Sequence, residues 1–419
     1  MIIHPSKKLI GTKSSLLKGK RIILGITGSV AAIKAPDIAR ELMRHGAEVF
    51  TVMSEMAKKI IHPYTMEWAT GNPVITELTG KIEHVSLVGE EEHISDVYLI
   101  APATANTISK IANGIDDTPV TSVATVALGL KIPMVVVPAM HDAMYNNPFV
   151  KESIEKLKRL GIYFVDPLIE EGKAKIAPLE EIVLEVMRAA CDKKDLINCN
   201  VLVTGGPTRE FLDPIRFISN PSSGKMGLAI AESAYIRGAN VYLVMGPNNL
   251  YIPRQINCVS VTSAQEMFDT VFKILNRSKA DIFISAAAVA DYTPEKRETA
   301  KIRSDKEKLQ VILKKTQKIV KEVKRKYSDI LVVGFKAESN MTDEALIRIA
   351  KEKINEYNID AVVANDISRQ ASGFGKDYNE VIVVTKSGYY EKIGPKIKIE
   401  IADRIFDILK REMASKDES

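Results

Sequence analysis

Residues 205–227 read GGPTREFLDPIRFISNPSSGKMG and follow directly on an apolar, strand-like run, NVLVT (200–204). A strand that ends in paired glycines and leads to a small-residue segment with helical spacing is the first half of a βαβ unit. Gly205 and Gly206 allow a tight turn and a close backbone approach to a ligand. Ser222, Ser223 and Gly224 open the expected helix, whose free N–H groups and dipole attract anions. Arg209, Arg216 and Lys225 add positive charge to the same stretch. Taken alone, Gly-Gly-Pro equally suits a strand-to-helix turn in any α/β protein.

Working outward, SGKMGLAIAESAYIRG and the strand ANVYLVMGP complete the unit, and further apolar runs follow at INCVSVTS, ADIFISAAAVA, ILVVGF, DAVVAND and NEVIVVT. SGYY reads as a hairpin turn before the last strand. The same alternation begins earlier, at RIILGITGS (21–29), with AAIKAPDIARELMRHG as a helix stopped at Gly46 and AEVFTVMS as the next strand. It continues through VYLIAPATA, IPMVVVPAM and IYFVDP. Helices between apolar strands imply parallel sheets covered on both faces. The expected fold is therefore α/β, with two successive Rossmann-like three-layer domains, each a mostly parallel sheet with helices on both faces. The boundaries fall at an N-terminal tail over 1–20, a first domain over 21–190, a linker over 191–199 and a second domain over 200–419. The lysine-rich EKRETAKIRSDKEKLQVILKK (295–315) reads as a mobile flap.

A chain of 419 residues with 46% hydrophobic and 26% charged residues has ample material for two or three cores. Its formal charge of +5 is small and interspersed, which argues against a general nucleic-acid surface. Cys191, Cys199 and Cys258 show neither CxxC spacing nor a paired histidine, so no disulfide framework or zinc site is indicated and a reducing cytoplasm is expected. No apolar run approaches the length of a membrane span.

The turn after the first strand, TGSVAAIK (27–34), lacks the GxGxxG fingerprint, which argues against an ordinary nicotinamide site. Its Gly-Ser step entering a helix still suits one phosphate. Ser54, the segment APATANTISKIANGIDD (101–117) and PAMHDAMY (138–145) also fall at strand ends, where open α/β sheets bind ligands.

Those segments together resemble the flavin-binding phosphopantothenoylcysteine decarboxylase family over about residues 20–180, and the 205–227 run closely resembles the signature of phosphopantothenate–cysteine ligase. The resemblance implies a bifunctional enzyme of coenzyme A synthesis. For the first half it implies FMN, with Gly28, Ser29, Ser54 and Thr104 near its phosphate or ring, and it makes His84, in KIEHVSLV, the active-site histidine. Loss of CO2 from the cysteine carboxylate needs an electron sink, which the flavin provides in that family. His141 stands where the family has an asparagine that donates to the substrate carboxylate, and Tyr145 takes the aromatic position. EEGKAKIAPLEE lacks the cysteine that many relatives carry in this clamp, leaving Lys175 near its place and the last proton donor unassigned.

For the second half, activation of a carboxylate needs a nucleotide and cationic support for its α-phosphate. The resemblance makes Asp291, in AAAVADY, the nucleotide-site acid and a ligand for Mg2+. Lys301 becomes the catalytic flap lysine in the degraded motif 301–304, with Arg303 as a second charge. Asn220 becomes the asparagine that holds the acyl-nucleotide for attack by the cysteine amine. Ala287, Phe335 and Lys353 join the nucleotide pocket, and Gly205, Gly206, Arg216, Ser222, Ser223 and Gly224 the phosphate and substrate contacts. By analogy with bacterial fused relatives the nucleotide is CTP, although the motifs also suit ATP. The implied partners are 4′-phosphopantothenate, cysteine and CTP, without nucleic acid or membrane, in a homo-oligomer that combines trimeric and dimeric contacts. Two rivals stand beside this reading: a ligase whose flavin-binding first half no longer decarboxylates, and a two-domain nicotinamide oxidoreductase.

Overall fold

A central parallel strand must be apolar on both faces, and the run at 21–26 satisfies this: Ile22, Ile23, Leu24 and Ile26 are fully enclosed. Each such side chain contributes about 1.5–3 kcal/mol of burial. The computed structural model describes residues 4–89, 94–303, 307–369 and 375–417. The chain divides into two units, Met1–Asp192 and Lys193–Ser419.

The strands of the first unit are β1 (Arg21–Ile26), β2 (Glu48–Met53), β3 (Val74–Ile75), β4 (Val97–Ala103), β5 (Met134–Pro138), β6 (Met140–His141), β7 (Tyr163–Phe164), β8 (Leu168–Glu170) and β9 (Lys173–Lys175). Six of them form a parallel sheet in the order β3-β2-β1-β4-β5-β7. The order reverses between β1 and β4, which opens a crevice at their carboxyl ends. β6, β9 and β8 form a separate antiparallel ribbon.

The expected tail over 1–20 is not one in the described residues from 4 onward. Helix Ala35–Arg44 ends with unpaired carbonyls, and this segment satisfies them. The amides of Gly11, Lys13 and Leu17 donate to the carbonyls of Met43, Arg44 and His45 at 3.0, 2.8 and 2.8 Å. Leu17 is buried, and Ser14 Oγ lies 2.7 Å from His45 Nδ1. The stretch 193–199 likewise packs into the second unit. Leu196 is fully enclosed, and the Asp195 carboxylate pairs with the buried Arg237, which also meets Asp403 and Asp407.

The second unit contains β10 (Asn200–Gly205), β11 (Arg209–Phe211), β12 (Phe217–Ser219), β13 (Asn240–Met245), β14 (Asn257–Ser260), β15 (Ile282–Ser285), β16 (Tyr292–Pro294), β17 (Leu313–Lys315), β18 (Leu331–Glu338), β19 (Ala361–Asp366), β20 (Tyr378–Thr385) and β21 (Tyr390–Ile397). Its main sheet runs β14-β13-β10-β15-β18-β19-β20-β21, parallel as far as β19 and antiparallel beyond it. Here the order reverses between β10 and β15. β16 and β17 pair as an antiparallel ribbon at the base of the expected flap.

The paired glycines work mainly in packing. A Cβ on Gly227 would stand 2.6 Å from the Gly205 Cα, so helix Lys225–Ile236 lies directly against the end of β10. Gly206 adopts φ +76°, a conformation that disfavours any side chain.

Candidate functional site

In the first unit, the sequence-derived residues collect at the β1/β4 switch point. Ser29 follows β1, Ser54 follows β2 and Thr104 follows β4, and each begins a helical turn. Their oxygens accept from the amides of Ala31, Ala57 and Thr107 at 3.4, 3.3 and 3.4 Å, which leaves the hydroxyl hydrogens of Ser29 and Ser54 available to a ligand, while Thr104 Oγ1 also shares a hydrogen bond with Thr107 Oγ1 at 3.1 Å. Thr27 ties the crevice together: its Oγ1 donates to the Pro102 carbonyl at 2.8 Å and accepts from the Thr104 amide at 3.0 Å. Gly28 is tightly held, because a Cβ there would meet the Met56 Cβ at 2.4 Å.

His84 lies on the short helix Glu83–Val88, whose start is anchored by the Glu83 carboxylate accepting from Thr79. Its Nδ1 is buried and, among the described residues, has no hydrogen-bond partner. The residue before that helix start, Ile82, is held at φ 50°, ψ 48°. Such a conformation is costly for a β-branched side chain.

His141 opens the turn after β5–β6, and its Nδ1 accepts from the Ala143 amide at 3.2 Å, which puts the proton of a neutral ring on Nε2. It stands opposite Lys173 in the β6–β9 pairing, so the clamp ribbon is hydrogen-bonded to the strand that carries this histidine. Lys175 does not suit the proton-donor role. Glu171 at 3.0 Å and Glu170 at 3.1 Å hold its ammonium above the usual lysine range, the opposite of the shift an acid at neutral pH requires.

In the second unit, a cavity of about 790 Å³ opens at the β10/β15 switch point. Asn220, Ser222, Ser223 and Gly224 line one wall, Ala287 and Asp291 the loop after β15, and Phe335 and Lys353 the far side. Among the described residues seven lysines but only two carboxylates, Asp291 and Glu356, reach the lining. That imbalance suits a polyanion. Asn220 crosses to the β15 loop, its Nδ2 donating to the Ala288 carbonyl at 3.0 Å. Asp291 forms a close ion pair with Lys318. Lys353 pairs with Glu356 at 2.5 Å, which holds it above the usual lysine range, and lies 5.2 Å from the centroid of the Tyr357 ring.

Gly205, Gly206, Arg216 and Lys301 lie outside this lining. Gly205 supports the strand–helix contact described above, and Gly206 lies against the Gly246 backbone, whose carbonyl oxygen a Cβ would meet at 3.1 Å. Arg216 is engaged with the flap: its guanidinium donates to Asp213 at 2.8 Å and to the Ile302 carbonyl at 2.9 Å, while the Ile302 amide donates to Asp213 at 3.1 Å. Burial opposes ionisation of Asp213, yet the amides of Arg216, Ile215 and Ile302 hold its carboxyl down to about 2. Lys301, next to Ile302, is exposed at this anchored flap base, and Ser304 of its motif lies outside the described residues. Sequence reasoning missed Lys318 and Lys398. Both look like ordinary helix-flanking lysines in one dimension, and only the sheet order brings them to the cavity.

Residues 10–190 match the family described as "Flavoprotein", and residues 196–413 match the "DNA/pantothenate metabolism flavoprotein C-terminal domain". The chain is 48% identical over 411 residues to the coenzyme A biosynthesis bifunctional protein CoaBC of Thermococcus kodakarensis, covering 98% of this chain and all of that one. It is 42% identical to the CoaBC protein of Methanocaldococcus jannaschii, covering 99% of each. A solved C-terminal domain of a CoaBC protein is 33% identical, with a TM-score of 0.45, covering 54% of this chain and all of that one. Among the described residues no helix is long and apolar enough to cross a membrane.

Proposed function

The chain belongs to the CoaBC family of bifunctional coenzyme A biosynthesis enzymes, and on that footing we propose how its residues divide the two reactions. It is a phosphopantothenate–cysteine ligase joined to an FMN-dependent phosphopantothenoylcysteine decarboxylase, which removes the nicotinamide alternative.

In the ligase half, the cation-rich cavity at the β10/β15 switch point carries the reading. CTP lies with its base near Ala287 and Phe335 and its phosphates toward Lys318 and Lys353, with Lys301 brought in by the flap. Among the described residues no cluster of three metal-ligating side chains occurs. Mg2+ is therefore expected to arrive on the nucleotide phosphates and to take Asp291 as its protein ligand in exchange for Lys318. The phosphate of 4′-phosphopantothenate is held at Ser222, Ser223 and Gly224, where helix Lys225–Ile236 begins. Its carboxylate then faces the α-phosphate of CTP, and the lysines stabilise charge as the acyl-cytidylate forms.

In the decarboxylase half, the hydroxyls of Ser29, Ser54 and Thr104 and the tight turn at Gly28 suit the phosphate and ring of FMN. When bound, FMN supplies the electron sink for decarboxylation. His141 directs its Nε2–H to the substrate carboxylate, as the family asparagine does, and His84 holds or moves a proton at Nδ1. Incubating the full chain with 4′-phosphopantothenate, cysteine, CTP and Mg2+ is expected to yield CO2 and 4′-phosphopantetheine, with ATP a poorer substitute. Arrest at phosphopantothenoylcysteine would refute the decarboxylase assignments, and equal turnover with ATP the nucleotide one.

The protein acts in the cytoplasm on small molecules, which cell fractionation checks. Val30 and Phe149, each 76% exposed, support contacts between copies of the flavin unit. Trimeric contacts there and dimeric ones in the ligase unit make a larger homo-oligomer, and a monomer in sedimentation velocity would overturn this.

A further inference from the structure

Lys398 opens the C-terminal helix Lys398–Asp417, is only 7% exposed, and still lines the ligase cavity. Its ammonium donates to the Lys376 carbonyl. The charged groups facing it are Lys225, at the start of helix Lys225–Ile236, and Asp377, on the segment before β20. Asp377 is already engaged, because Lys225 Nζ lies 2.7 Å from its Oδ1 and donates to the Gly375 carbonyl at 2.9 Å.

One largely exposed carboxylate thus stands near two lysines, of which Lys398 alone is buried. Burial, reinforced by Lys225 and opposed by Asp377, lowers Lys398 to about 8. A buried ammonium without a full counter-charge is costly, and an entering anion would relieve that cost. Ser222, Ser223 and Gly224, which line the same cavity, lie immediately before Lys225 in sequence.

We propose that Lys398 and Lys225 jointly bind the phosphate of 4′-phosphopantothenate, Lys398 taking a proton from solvent as the dianion arrives and Asp377 releasing Lys225. The proposal rests on the ligase reading above and adds to it a residue and a linked proton. It explains the placement of a lysine where a hydrophobic side chain would pack at lower cost. Arginine at the same position would hold the anion but could not exchange the proton.

Calorimetric titration of the full chain with 4′-phosphopantothenate, in buffers of differing ionisation enthalpy, tests this. A phosphate monoester, with a second pKa of about 6, is already mostly dianionic at pH 7. A lysine lowered to about 8 is mostly charged at pH 7 and loses its proton as pH rises past that value, so proton uptake on binding should be small at pH 7 and grow toward one per site at higher pH. Pantothenate, which lacks the phosphate, should cause no uptake. Lys398→Met should abolish uptake and weaken 4′-phosphopantothenate binding about tenfold or more, while leaving CTP binding intact. Lys398→Arg should keep the affinity and lose the uptake. Undiminished uptake in Lys398→Arg, or uptake driven by CTP instead of 4′-phosphopantothenate, overturns the assignment. Binding of 4′-phosphopantothenate without uptake overturns this proposal alone, whereas no heat from either ligand overturns the ligase reading and this one with it.

Discussion

Replacing Asn220 with alanine is expected to leave cytidylate formation running while amide formation falls by about a hundredfold or more. The physical basis is the reach of this side chain from the end of β12 to the loop after β15. Its Nδ2 is occupied by the Ala288 carbonyl, which fixes the amide plane and leaves Oδ1 as the atom open to a ligand. An oxygen fixed in that way can accept from the cysteine amine and hold it for attack on the acyl-cytidylate. Asn220→Asp should be as damaging despite its equal size, because a carboxylate cannot donate to the Ala288 carbonyl and would be repelled by it. Quenched-flow assays with labelled 4′-phosphopantothenate should show the acyl-cytidylate accumulating in both variants. Wild-type rates of amide formation in Asn220→Ala would remove the residue from the mechanism, and loss of cytidylate formation would place its role in nucleotide binding.

The alternating architecture was legible because the central strands are buried on both faces, so their apolar runs are continuous and easily separated from the amphipathic helices. Site location followed from topology: residues at the ends of β1, β4, β10 and β15 meet at the two switch points. Individual roles were harder to read. Gly205 and Gly206 have the composition of a ligand-binding turn, and the structure shows Gly205 letting helix Lys225–Ile236 approach β10 and Gly206 packed on the Gly246 backbone. Arg216 has the charge of a phosphate ligand, but Asp213 and the Ile302 carbonyl engage it.

The features that sequence did not reveal are non-local. Lys398 lies more than 170 positions from Lys225, and nothing in KIKIEIADRIF distinguishes a buried lysine from a solvated helix start. The segment from 4 to 20 carries no sustained apolar pattern because its role is to satisfy the carbonyls ending helix Ala35–Arg44, which backbone amides of almost any sequence can do. Lys175 shows the converse. Its position invited a chemical role, but the two glutamates preceding it in the clamp stabilise its cationic form.

His84→Asn is expected to lower decarboxylation by about a hundred- to ten-thousandfold while leaving the flavin absorbance of the purified protein unchanged. Two costs are concentrated at this residue. A buried ring nitrogen with no partner among the described residues forfeits roughly 1–3 kcal/mol, and Ile82, two positions earlier, occupies a left-handed conformation that β-branched residues avoid. A histidine retained for packing alone would have its nitrogen satisfied within the fold. An Nδ1 with no partner among the described residues is instead available to a substrate, whose carboxylate or thiol supplies the missing hydrogen bond. The two roles predict opposite stability changes. If Nδ1 awaits substrate, His84→Leu should unfold at the same or a higher urea concentration than the wild type, because it removes an unsatisfied polar atom, and its decarboxylation should fall at least as far as in His84→Asn. A packing role would instead show a lower unfolding midpoint together with near-normal decarboxylation in His84→Asn, and that result would withdraw His84 from the chemistry.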